Sequence, residues 1–456
     1  MNQDNIIEQQ VLKKITPDQK DRIRLKETIS ALIKKVNEQL IQHKQKASIE
    51  LVGSTAKDTY LKHNLDIDLF IVFPSLESEE KIAQITLQIG RKILEDTEEC
   101  YAEHPYIRGN FLNYKVELVP CYQITDASEK ISAVDRTPLH TRYVKQHLSE
   151  KQKQDVRLLK QFLTGIGCYG AEAEIQGFSG YLCELLIIKY DSFHNLLRHV
   201  KKWKKGIKIT LTNHPIPKFE DPLVFIDPVD RDRNVGAAVV LQTFHRFIMA
   251  SKDYLHQPKE TFFFPKQTKP WSLHQIEKTL NKQQATYIGI KFEKPKIIKE
   301  NLYPQIRKAC TAIKKQSTEK EFSIHDIRFH VENTSSLIYI IIKTSEKPLS
   351  ETFTHKGPPI KLKKNTKEFI DKWKDNPATV KPPFQENGRT YVTVKREYRY
   401  LKNYLKDNLS LFSLGKHLDA IVDNKYEVLS LNDLIKPELQ LFWTYYLEDK
   451  KPWERE

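Results

Sequence analysis

The stretch Leu65-Asp66-Ile67-Asp68-Leu69-Phe70-Ile71-Val72-Phe73 places two carboxylates inside a run of large apolar residues. Such a run predicts a β-strand that is buried on both faces. Asp66 and Asp68 are two residues apart, so on a strand their side chains point to the same side, with Cα atoms roughly 6.6 Å apart. An uncompensated buried carboxylate costs several kcal/mol. The pair therefore indicates a shared partner, and a divalent cation fits two converging carboxylates.

A second motif lies just upstream. Residues 49–52 predict a short strand, Gly53-Ser54 a tight turn, and Thr55 the start of a short helix. Backbone N–H groups and a serine hydroxyl at such a turn can bind a phosphate. The joint spacing of the two motifs predicts one strand that ends in a phosphate site beside a strand that carries a metal-binding pair. The alternative is a turn and an incidental surface pair of acids.

Glu117 is the candidate third carboxylate. It lies in the apolar run Tyr114–Tyr122, which Pro120 is expected to end, and Arg108-Gly109-Asn110 is predicted to form a hairpin turn with a partner strand at 100–104. Three acids around two cations ~3.5–4 Å apart suit phosphoryl or nucleotidyl transfer. A glutamate on an edge strand that merely faces solvent would give the same local pattern.

Composition indicates a phosphate-rich partner. The chain has 456 residues and a formal net charge of +15, with a sequence pI of about 9.2, which suits nucleic acid. Residues 356–406 carry 14 Lys and Arg residues against 5 Asp and Glu residues, interleaved with aromatic residues. This segment is either an RNA-binding surface or a solvated basic surface with ordinary core aromatics.

Cysteine and hydropathy patterns bear on location. The five cysteines show no metal-ligand spacing, so we expect buried, reduced thiols and no zinc site. The N-terminus is polar, and no apolar run approaches the ~18 residues of a membrane span. The sequence thus predicts a cytoplasmic protein without a membrane partner.

Changes in hydrophobic period predict three domains. A mixed α/β catalytic domain is expected over 1–143, a central helical domain over 144–258, and a second α/β unit over 259–456. In this last unit, 285–292 and 337–343 are predicted strands, and 301–315 is a predicted helix. The basic segment, at about 355–406, would be inserted into the unit or follow it.

Gly53-Ser54, the spacer and Asp66-Ile67-Asp68 resemble the signature of the DNA polymerase β-like nucleotidyltransferase superfamily. Over nearly its whole length the chain resembles the archaeal (class I) CCA-adding enzymes more specifically. The motifs that carry this resemblance are Tyr101-Ala102-Glu103-His104-Pro105-Tyr106, Ser132-Ala133-Val134-Asp135-Arg136-Thr137-Pro138, Gly177-Phe178-Ser179-Gly180-Tyr181-Leu182-Cys183-Glu184, Asp227-Pro228-Val229-Asp230, Arg233-Asn234-Val235, Asn301-Leu302-Tyr303-Pro304-Gln305 and Glu386-Asn387-Gly388-Arg389.

The resemblance implies an α+β multidomain fold with a polymerase β-like nucleotidyltransferase palm, a central helical domain, an RRM-like α/β body and a basic RNA-binding tail. It implies an enzyme that adds and repairs the 3′-terminal CCA of tRNA from CTP and ATP, without a template and with release of pyrophosphate. It also implies Mg²⁺ as cofactor, tRNA as partner and a homodimeric state.

The resemblance further implies roles for individual residues. Asp66, Asp68 and Glu117 would be the catalytic metal ligands. The nucleotide would be bound by Gly53, Ser54, Lys57, Thr137, His140, Lys160, Tyr169 and Arg233, with Arg233 contacting the base. RNA would be bound by Lys363, Lys364, Lys367 and Arg389.

Three positions depart from the family pattern. Lys57 stands where family members often carry Arg, Asp66 where Glu also occurs, and Glu117 where Asp occurs in some relatives. All three changes keep the charge. The longer side chain of Glu117 could shift the position of a metal ion or of the reacting hydroxyl.

Two other functions remain open at this point. One is a poly(A) or oligoadenylate polymerase of the same superfamily, which would use ATP alone and would not stop after one adenosine. The other is a non-catalytic RNA-binding protein that kept the fold, against which the intact Ser54, Asp66, Asp68 and Glu117 argue.

Overall fold

The computed structural model describes residues 3–101, 104–213, 217–332, 336–423, 425–448 and 450–455, with side chains from Ile6 onward. The chain divides into two compact units, one formed by Met1–Gln267 with Lys450–Glu456 and one by Thr268–Asp449. Ala102 and Glu103, which belong to the family motif at 101–106, lie outside the described residues. The division into three domains stays a prediction.

The first unit combines one mixed sheet with a set of helices. Its helices are α1 Gln3–Ile15, α2 Gln19–Gln42, α3 Gly53–Lys57, α4 Glu79–Ile93, α5 Arg136–His147, α6 Glu150–Gly165, α7 Gly180–Tyr190, α8 Phe193–Val200 and α9 Leu241–His256. Its strands are β1 Ser48–Val52, β2 Asp66–Phe73, β3 Glu95–Tyr101, β4 Pro105–Phe111, β5 Tyr114–Tyr122, β6 Ile207–Ile209 and β7 Leu223–Phe225.

The five-stranded sheet has the order β1-β2-β5-β4-β3. Strand β2 lies inside it, antiparallel to β1 and parallel to β5. All of its apolar side chains, from Ile67 to Phe73, are buried, whereas Asp68 between them is partly exposed. This confirms the predicted strand at 65–73, and the parallel pairing places β2 and β5 side by side in register.

The predicted hairpin turn at Arg108-Gly109-Asn110 is wrong. These residues lie within β4, which pairs with β5 and with β3, Glu95–Tyr101. The turn is made by Leu112 and Asn113, both with positive φ. Gly109 is required by close packing, since a Cβ there would lie 2.8 Å from the carbonyl oxygen of Glu95.

Pro120 does not end β5, which continues to Tyr122. Proline lacks a backbone N–H, so it cannot donate a hydrogen bond to a neighbouring strand. The pairing of β5 with β4 stops at Leu118, whereas the pairing with β2 continues to Tyr122. Pro120 therefore lies where β5 needs a partner on only one side.

The remainder of the first unit is mainly helical, as predicted. Its core is formed by apolar side chains of α6, α7, α8 and α9, with Phe162 at the centre of a group of aromatic rings. The short parallel strands β6 and β7 are the exception to the helical pattern. Strand β7 leads directly into the segment that carries Asp227 and Arg233.

The second unit contains the other α/β elements. Its helices are α10 Leu273–Asn281, α11 Lys299–Glu319, α12 Lys363–Lys374, α13 Leu401–Asn408, α14 Lys416–Val422, α15 Leu431–Leu434 and α16 Gln440–Leu447. Its strands are β8 Thr286–Glu293, β9 Ile324–Val331, β10 Leu337–Thr344, β11 Thr352–Pro359, β12 Thr379–Glu386, β13 Arg389–Lys395 and β14 Glu427–Leu429.

The body of this unit is a four-stranded antiparallel sheet in the order β14-β8-β10-β9. Along the body this is the strand order 4-1-3-2, with α11 after the first strand and α13 and α14 before the last. That β-α-β-β-α-β succession is the ferredoxin-like arrangement, which RRM domains share. The RRM-like body is therefore confirmed, although its second half is separated from its first by a long insertion.

The insertion is a small sheet with the order β11-β13-β12, covered by α12. Phe369 and Trp373 of α12 pack against His355 of β11. The sequence left open whether the basic segment is inserted or follows the body, and the structure shows an insertion. By contrast, Leu401, Tyr404 and Leu405 of α13 are buried in the core of the body, so the aromatic residue Tyr404 of the basic segment serves packing.

All five cysteines are buried free thiols, as predicted. Within the described residues, none of the helices has both the length and the apolar character that crossing a membrane requires.

Candidate active site

Three carboxylates meet at the start of β2 and the middle of β5. Asp68 is the register partner of Glu117 in the parallel pair, and Asp66 lies one full pleat before Asp68. Asp66 is exposed, whereas Asp68 and Glu117 are partly buried. The structure therefore brings together the three acids that the sequence singled out.

The pKa of Asp68 reports the crowding of these charges. Burial, together with the negative charges of Glu117 and Asp66, raises the pKa of the Asp68 carboxyl to about 7. A carboxyl that is close to two others and poorly hydrated holds its proton unless a cation compensates the charge. The site thus has negative charge in excess.

Arg108 partly compensates that excess. Its Nε and Nη2 atoms donate hydrogen bonds of 2.9 and 2.6 Å to the same oxygen, Oε1 of Glu117. The two residues are direct cross-strand partners in the β4–β5 pair. Because the sequence placed Arg108 in a turn, this partner of Glu117 was missed. The sequence did contain a signal for this pair, because Arg108 lies between buried positions of β4 and so indicates an exposed strand residue that faces an acid.

Gly53 closes the other side of Asp68. A Cβ atom at Gly53, which has a φ of +70°, would lie 1.8 Å from Oδ2 of Asp68. The register of β1 on β2 explains this contact, since Val52 is the partner of Asp68. Any larger residue would displace the carboxylate. Ser54 follows in α3 and is half-buried.

A buried ion-pair network joins the end of α3 to the helices α6 and α7. Lys57 donates a 2.5 Å hydrogen bond to Oε2 of Glu184, and the Thr59 hydroxyl donates one of 2.6 Å to Oε1. Lys160 donates to the carbonyl oxygen and hydroxyl of Thr59 and lies 3.6 Å from Oε1 of Glu184. Two lysines therefore share one buried carboxylate, and while both are protonated the network carries one positive charge in excess.

The pKa shifts in this network follow from burial and pairing. Burial lowers the pKa of Lys160 despite the nearby Glu184. Burial also acts to raise the pKa of Glu184, but Lys57 and Lys160 outweigh it, and that pKa lies below its usual range. Glu184 was quoted in the sequence motif without a role. A lone glutamate in the apolar helix α7 was the signal for a buried partner.

Tyr169 belongs to the same region. A Cβ atom at Gly180 would lie 3.3 Å from the Tyr169 hydroxyl and 3.7 Å from Nζ of Lys160, so the two side chains meet at Gly180. Burial is the first cause that raises the pKa of Tyr169, and the charges of Glu184 and Asp66 contribute. The phenol therefore stays protonated and can donate a hydrogen bond.

A second network is centred on Asp227. Oδ2 accepts a 2.7 Å hydrogen bond from Nη1 of Arg233 and lies 2.9 Å from Nε2 of His140. Oδ1 accepts from the Tyr181 hydroxyl at 3.0 Å. Burial acts to raise the pKa of Asp227, but His140 and Arg233 outweigh it and hold the pKa at about 2. Asp227 therefore stays charged and orients Arg233.

Tyr181 connects the two networks. Its ring stacks on that of His140 with centroids 4.1 Å apart, and Nζ of Lys57 lies 5.8 Å from the centroid of the Tyr181 ring. Thr137 is half-buried in the first turn of α5, the helix that carries His140 and packs against α3. The predicted nucleotide-binding residues thus form one continuous region of the first unit.

A cavity of about 500 Å³ opens beside Arg233. Its charged lining includes Lys130 and Arg136, which both pair with Asp230 at 2.9 and 2.7 Å. Ser179 also lines it. This volume lies in the range of small-molecule sites. The lining holds both signs of charge, since Asp230 and Asp232 stand beside the basic residues, and it includes the guanidinium of Arg233, which is about one-third exposed.

The predicted RNA-binding residues lie in the second unit. Lys363, Lys364 and Lys367 are exposed on α12, and none of them forms an ion pair within the described part of the chain. Arg389 is different, because its Nη1 donates a 2.9 Å hydrogen bond to the carbonyl oxygen of Gly357. That bond holds the end of the inserted sheet, and a contact of Arg389 with RNA stays a prediction.

Family comparisons cover the three parts of the chain. Residues 33–140 match the nucleotidyltransferase domain, 154–264 the second domain of tRNA nucleotidyltransferase, and 283–431 the C-terminal domain of CCA-adding enzyme. The CCA-adding enzyme of Methanothermobacter thermautotrophicus is 34% identical over 97% of this chain and 98% of its own length. The CCA-adding enzyme of Thermoplasma volcanium is 37% identical over 96% of both chains.

The chain belongs to the archaeal CCA-adding enzyme family. Enzymes of the nucleotidyltransferase superfamily generally use a divalent metal, so the three carboxylates can be tested for fit. Among the residues that the structure describes, no three His, Cys, Asp or Glu side chains already surround a common metal position. The donors themselves fit, since carboxylate oxygens suit hard divalent cations and the raised pKa of Asp68 marks uncompensated negative charge.

In metal-free protein at pH 8, we expect Asp68→Asn to raise the free energy of unfolding by about 1–3 kcal/mol. The pKa of Asp68 is about 7 in the folded protein against a reference value of 3.8. The folded state therefore binds the proton more tightly than the unfolded state, and stability falls as the pH rises between these values. Asparagine does not titrate and avoids this loss.

Urea unfolding in EDTA from pH 4 to pH 8 measures the effect. The gain of the Asp68→Asn protein should grow up to about pH 7 and stay constant above it. Asp66→Asn is the control, since Asp66 is exposed and should give a smaller gain. A gain that does not change with pH would contradict the assigned crowding.

Proposed function

We propose that this member of the archaeal CCA-adding enzyme family transfers CMP and AMP from CTP and ATP to the 3′ end of tRNA by two-metal nucleotidyl transfer. The proposal rests on the occurrence of two oppositely charged clusters in one unit. A cluster of acids at Asp66, Asp68 and Glu117 and a buried excess of positive charge at Lys57 and Lys160 occur in one unit. The first suits metal ions and the second suits a triphosphate.

In the reaction, the 3′ hydroxyl of the RNA attacks the α-phosphorus of the nucleotide, the bond to the β-phosphate oxygen breaks, and pyrophosphate leaves. Asp66, Asp68 and Glu117 would hold the cations. Bound there, divalent cations lower the pKa of the attacking hydroxyl and offset charge on the pyrophosphate. Arg108 would orient the longer Glu117 side chain through its two hydrogen bonds to Oε1.

The positive network positions the triphosphate. Among the described residues, Glu184 is the one acid that pairs with Lys57 and Lys160, so an anion would balance the remaining charge. Ser54 and Tyr169 supply hydroxyl donors at the same place, next to Gly53 and Gly180. Thr137 and His140 line the side that leads to Asp227. Each of these groups binds and orients the nucleotide, which is the main contribution that a nucleotidyltransferase makes.

Arg233 would contact the base. Asp227 fixes one of its terminal nitrogens, which orients the guanidinium without neutralising its other donors. Cytosine and adenine both present an exocyclic amine beside a ring acceptor, whereas uracil and guanine present the reversed pattern. A fixed arginine together with acceptors of the RNA could therefore accept CTP and ATP and reject UTP and GTP.

Three finer features are also proposed. Mg²⁺ is the expected metal, because the donors are carboxylate oxygens. A homodimer and a cytoplasmic location rest on the resemblance to the family and on the reduced cysteines.

The decisive assay combines the protein with Mg²⁺, CTP, ATP and a tRNA transcript that lacks its CCA end. We expect two cytidines and one adenosine to be added, after which addition stops. Use of ATP alone without a stop would favour a poly(A) polymerase, and no incorporation would favour a non-catalytic RNA-binding protein.

Asp68→Asn should reduce CMP incorporation below ~1% of wild type, because the cations lose a ligand that cannot be replaced by water alone. Its circular dichroism spectrum should be unchanged. Glu80→Gln is the matched control, since Glu80 is an exposed carboxylate on α4 and should retain full activity. Activity of Asp68→Asn above that level would overturn the two-metal assignment.

Arg233→Ala should reduce the use of both CTP and ATP roughly 5- to 150-fold, since a bidentate base contact contributes ~1–3 kcal/mol. The ratio of UTP to CTP incorporation should rise. Arg231→Ala is the control, because Arg231 is exposed two residues away. An unchanged UTP:CTP ratio would mean that Arg233 does not read the base.

Replacing Lys363, Lys364 and Lys367 by Gln should weaken the binding of full-length tRNA and lower its salt slope by up to ~0.9 per lost phosphate contact. A minihelix without the tRNA elbow should bind almost as before. Lys308, Lys314 and Lys315 of α11 provide an equally exposed control set. Equal losses on both RNAs would show that α12 does not contact the elbow.

A further inference from the structure

The segment between Asp191 and Glu220 is strongly basic. Its 28 residues include seven Lys and Arg residues and no Asp or Glu. Five exposed lysines form what we call the lysine patch: Lys201, Lys202, Lys204, Lys205 and Lys208. None of them belongs to an ion pair among residues 3–101, 104–213 and the other described ranges. This patch lies in the first unit and is separate from the basic insertion of the second.

The patch is held on a fixed support. Trp203, between the two pairs of lysines, is buried, and its ring stacks on Phe244 with centroids 6.0 Å apart. The Trp203 amide donates to the carbonyl oxygen of Val200 at 2.9 Å, and the amide of Gly206 to that of Pro222 at 2.8 Å. Like charges on an anchored turn repel one another, so the arrangement lowers stability unless an anionic partner binds.

Its position relates it to the nucleotide region. Strand β6 pairs in parallel with β7, with Ile207 opposite Leu223 and Ile209 opposite Phe225. Lys205 thus lies at the level of residue 221 or 222, about five residues before Asp227 along an extended chain. At ~3.3 Å per residue, this is roughly 16 Å. One strand of a DNA duplex carries one phosphate per ~3.4 Å of helix axis, and on that scale the distance corresponds to about five nucleotides.

We propose that the lysine patch binds the phosphate backbone of the substrate RNA within its acceptor stem, a few nucleotides from the reacting 3′ end. This inference rests on the proposed function, since it takes RNA as the substrate. The five ammonium groups of the patch donate hydrogen bonds and accept none. The patch therefore suits contacts with phosphates, and backbone contacts dominate the recognition of RNA duplexes. It also differs from α12, whose lysines are expected to reach only the elbow.

The test replaces Lys201, Lys202, Lys204 and Lys205 together by Gln, and in a second protein by Arg. The probe is a minihelix RNA with acceptor and T stems and no CCA end. Binding is measured between 0.05 and 0.3 M salt. We expect the Gln protein to bind at least tenfold more weakly at low salt and its salt slope to fall by roughly 2–3.6, at ~0.9 per contact. The Arg protein should bind as wild type does.

A control set and a melting curve separate charge from folding. Lys20, Lys26 and Lys34 are exposed lysines of α2, and their replacement by Gln should leave minihelix binding and the salt slope unchanged. If the Gln protein of the patch melts below wild type while the Arg protein does not lose binding, the lost charge still accounts for the loss. Equal loss in the Gln and Arg proteins would overturn the proposal, because it would indicate a structural effect.

Full-length tRNA and the minihelix should be affected equally, in contrast to the α12 substitutions. Wild-type binding and slope in the Gln protein would overturn the proposal for the patch while CMP addition by the wild type upholds the proposed function. Failure of the wild type to extend any tRNA would instead remove the function itself. Binding of vesicles that contain phosphatidylserine, lost in the Gln protein without a change in minihelix binding, would assign the patch to a membrane surface and also overturn the proposal.

Discussion

The buried carboxylate of Glu184 is the interaction on which the site depends. It lies on α7, yet its oxygens bind Lys57 of α3 and Thr59 just beyond it, and Lys160 of α6 lies within ion-pair distance. Loss of one member of a buried ion pair leaves an uncompensated charge and costs about 3–5 kcal/mol. Here two lysines would be left. The carboxylate therefore fixes the elements that follow β1 against the helices, and with them the position of Gly53 beside Asp68.

The first unit contains one cluster with an excess of negative charge and another with an excess of positive charge. At the acids, negative charge is in excess and raises the pKa of Asp68. At Glu184, positive charge is in excess, and at Asp227 one carboxylate is matched by Arg233 and His140. A nucleotide with its metal ions carries both signs and would neutralise both excesses at once. On the proposed function, the bound nucleotide and metal ions would complete the pairing of these charges and stabilise the fold.

The second unit shows how an insertion can leave a sheet intact. Strands β8, β10 and β14 are far apart in sequence, yet they pair in register across the body. The inserted sheet with α12 leaves and returns between β10 and α13. Tyr404 and Leu405, in the first helix after the inserted sheet, are buried in the body. The chain therefore rejoins the core of the body directly after the insertion. The exposed lysines of α12 belong to the insertion and not to the body.

The sequence by itself determined the strand β2, its two acids and the glycine at the change from β1 to α3, because strand period and glycine conformation are local properties. It also determined the helical middle of the chain and the strands at 285–292 and 337–343. It misplaced Arg108 in a turn, since the Arg-Gly-Asn triplet favours turns locally while the close approach of Glu95 to Gly109 decides for a strand. Only the tertiary structure showed that Arg108 pairs with Glu117, that Glu184 joins Lys57 to Lys160, and that Asp227 holds Arg233. The first two of these contacts link residues from different elements, and the third closes a loop within the segment after β7. No local pattern encodes which of these partners meet once the chain has folded.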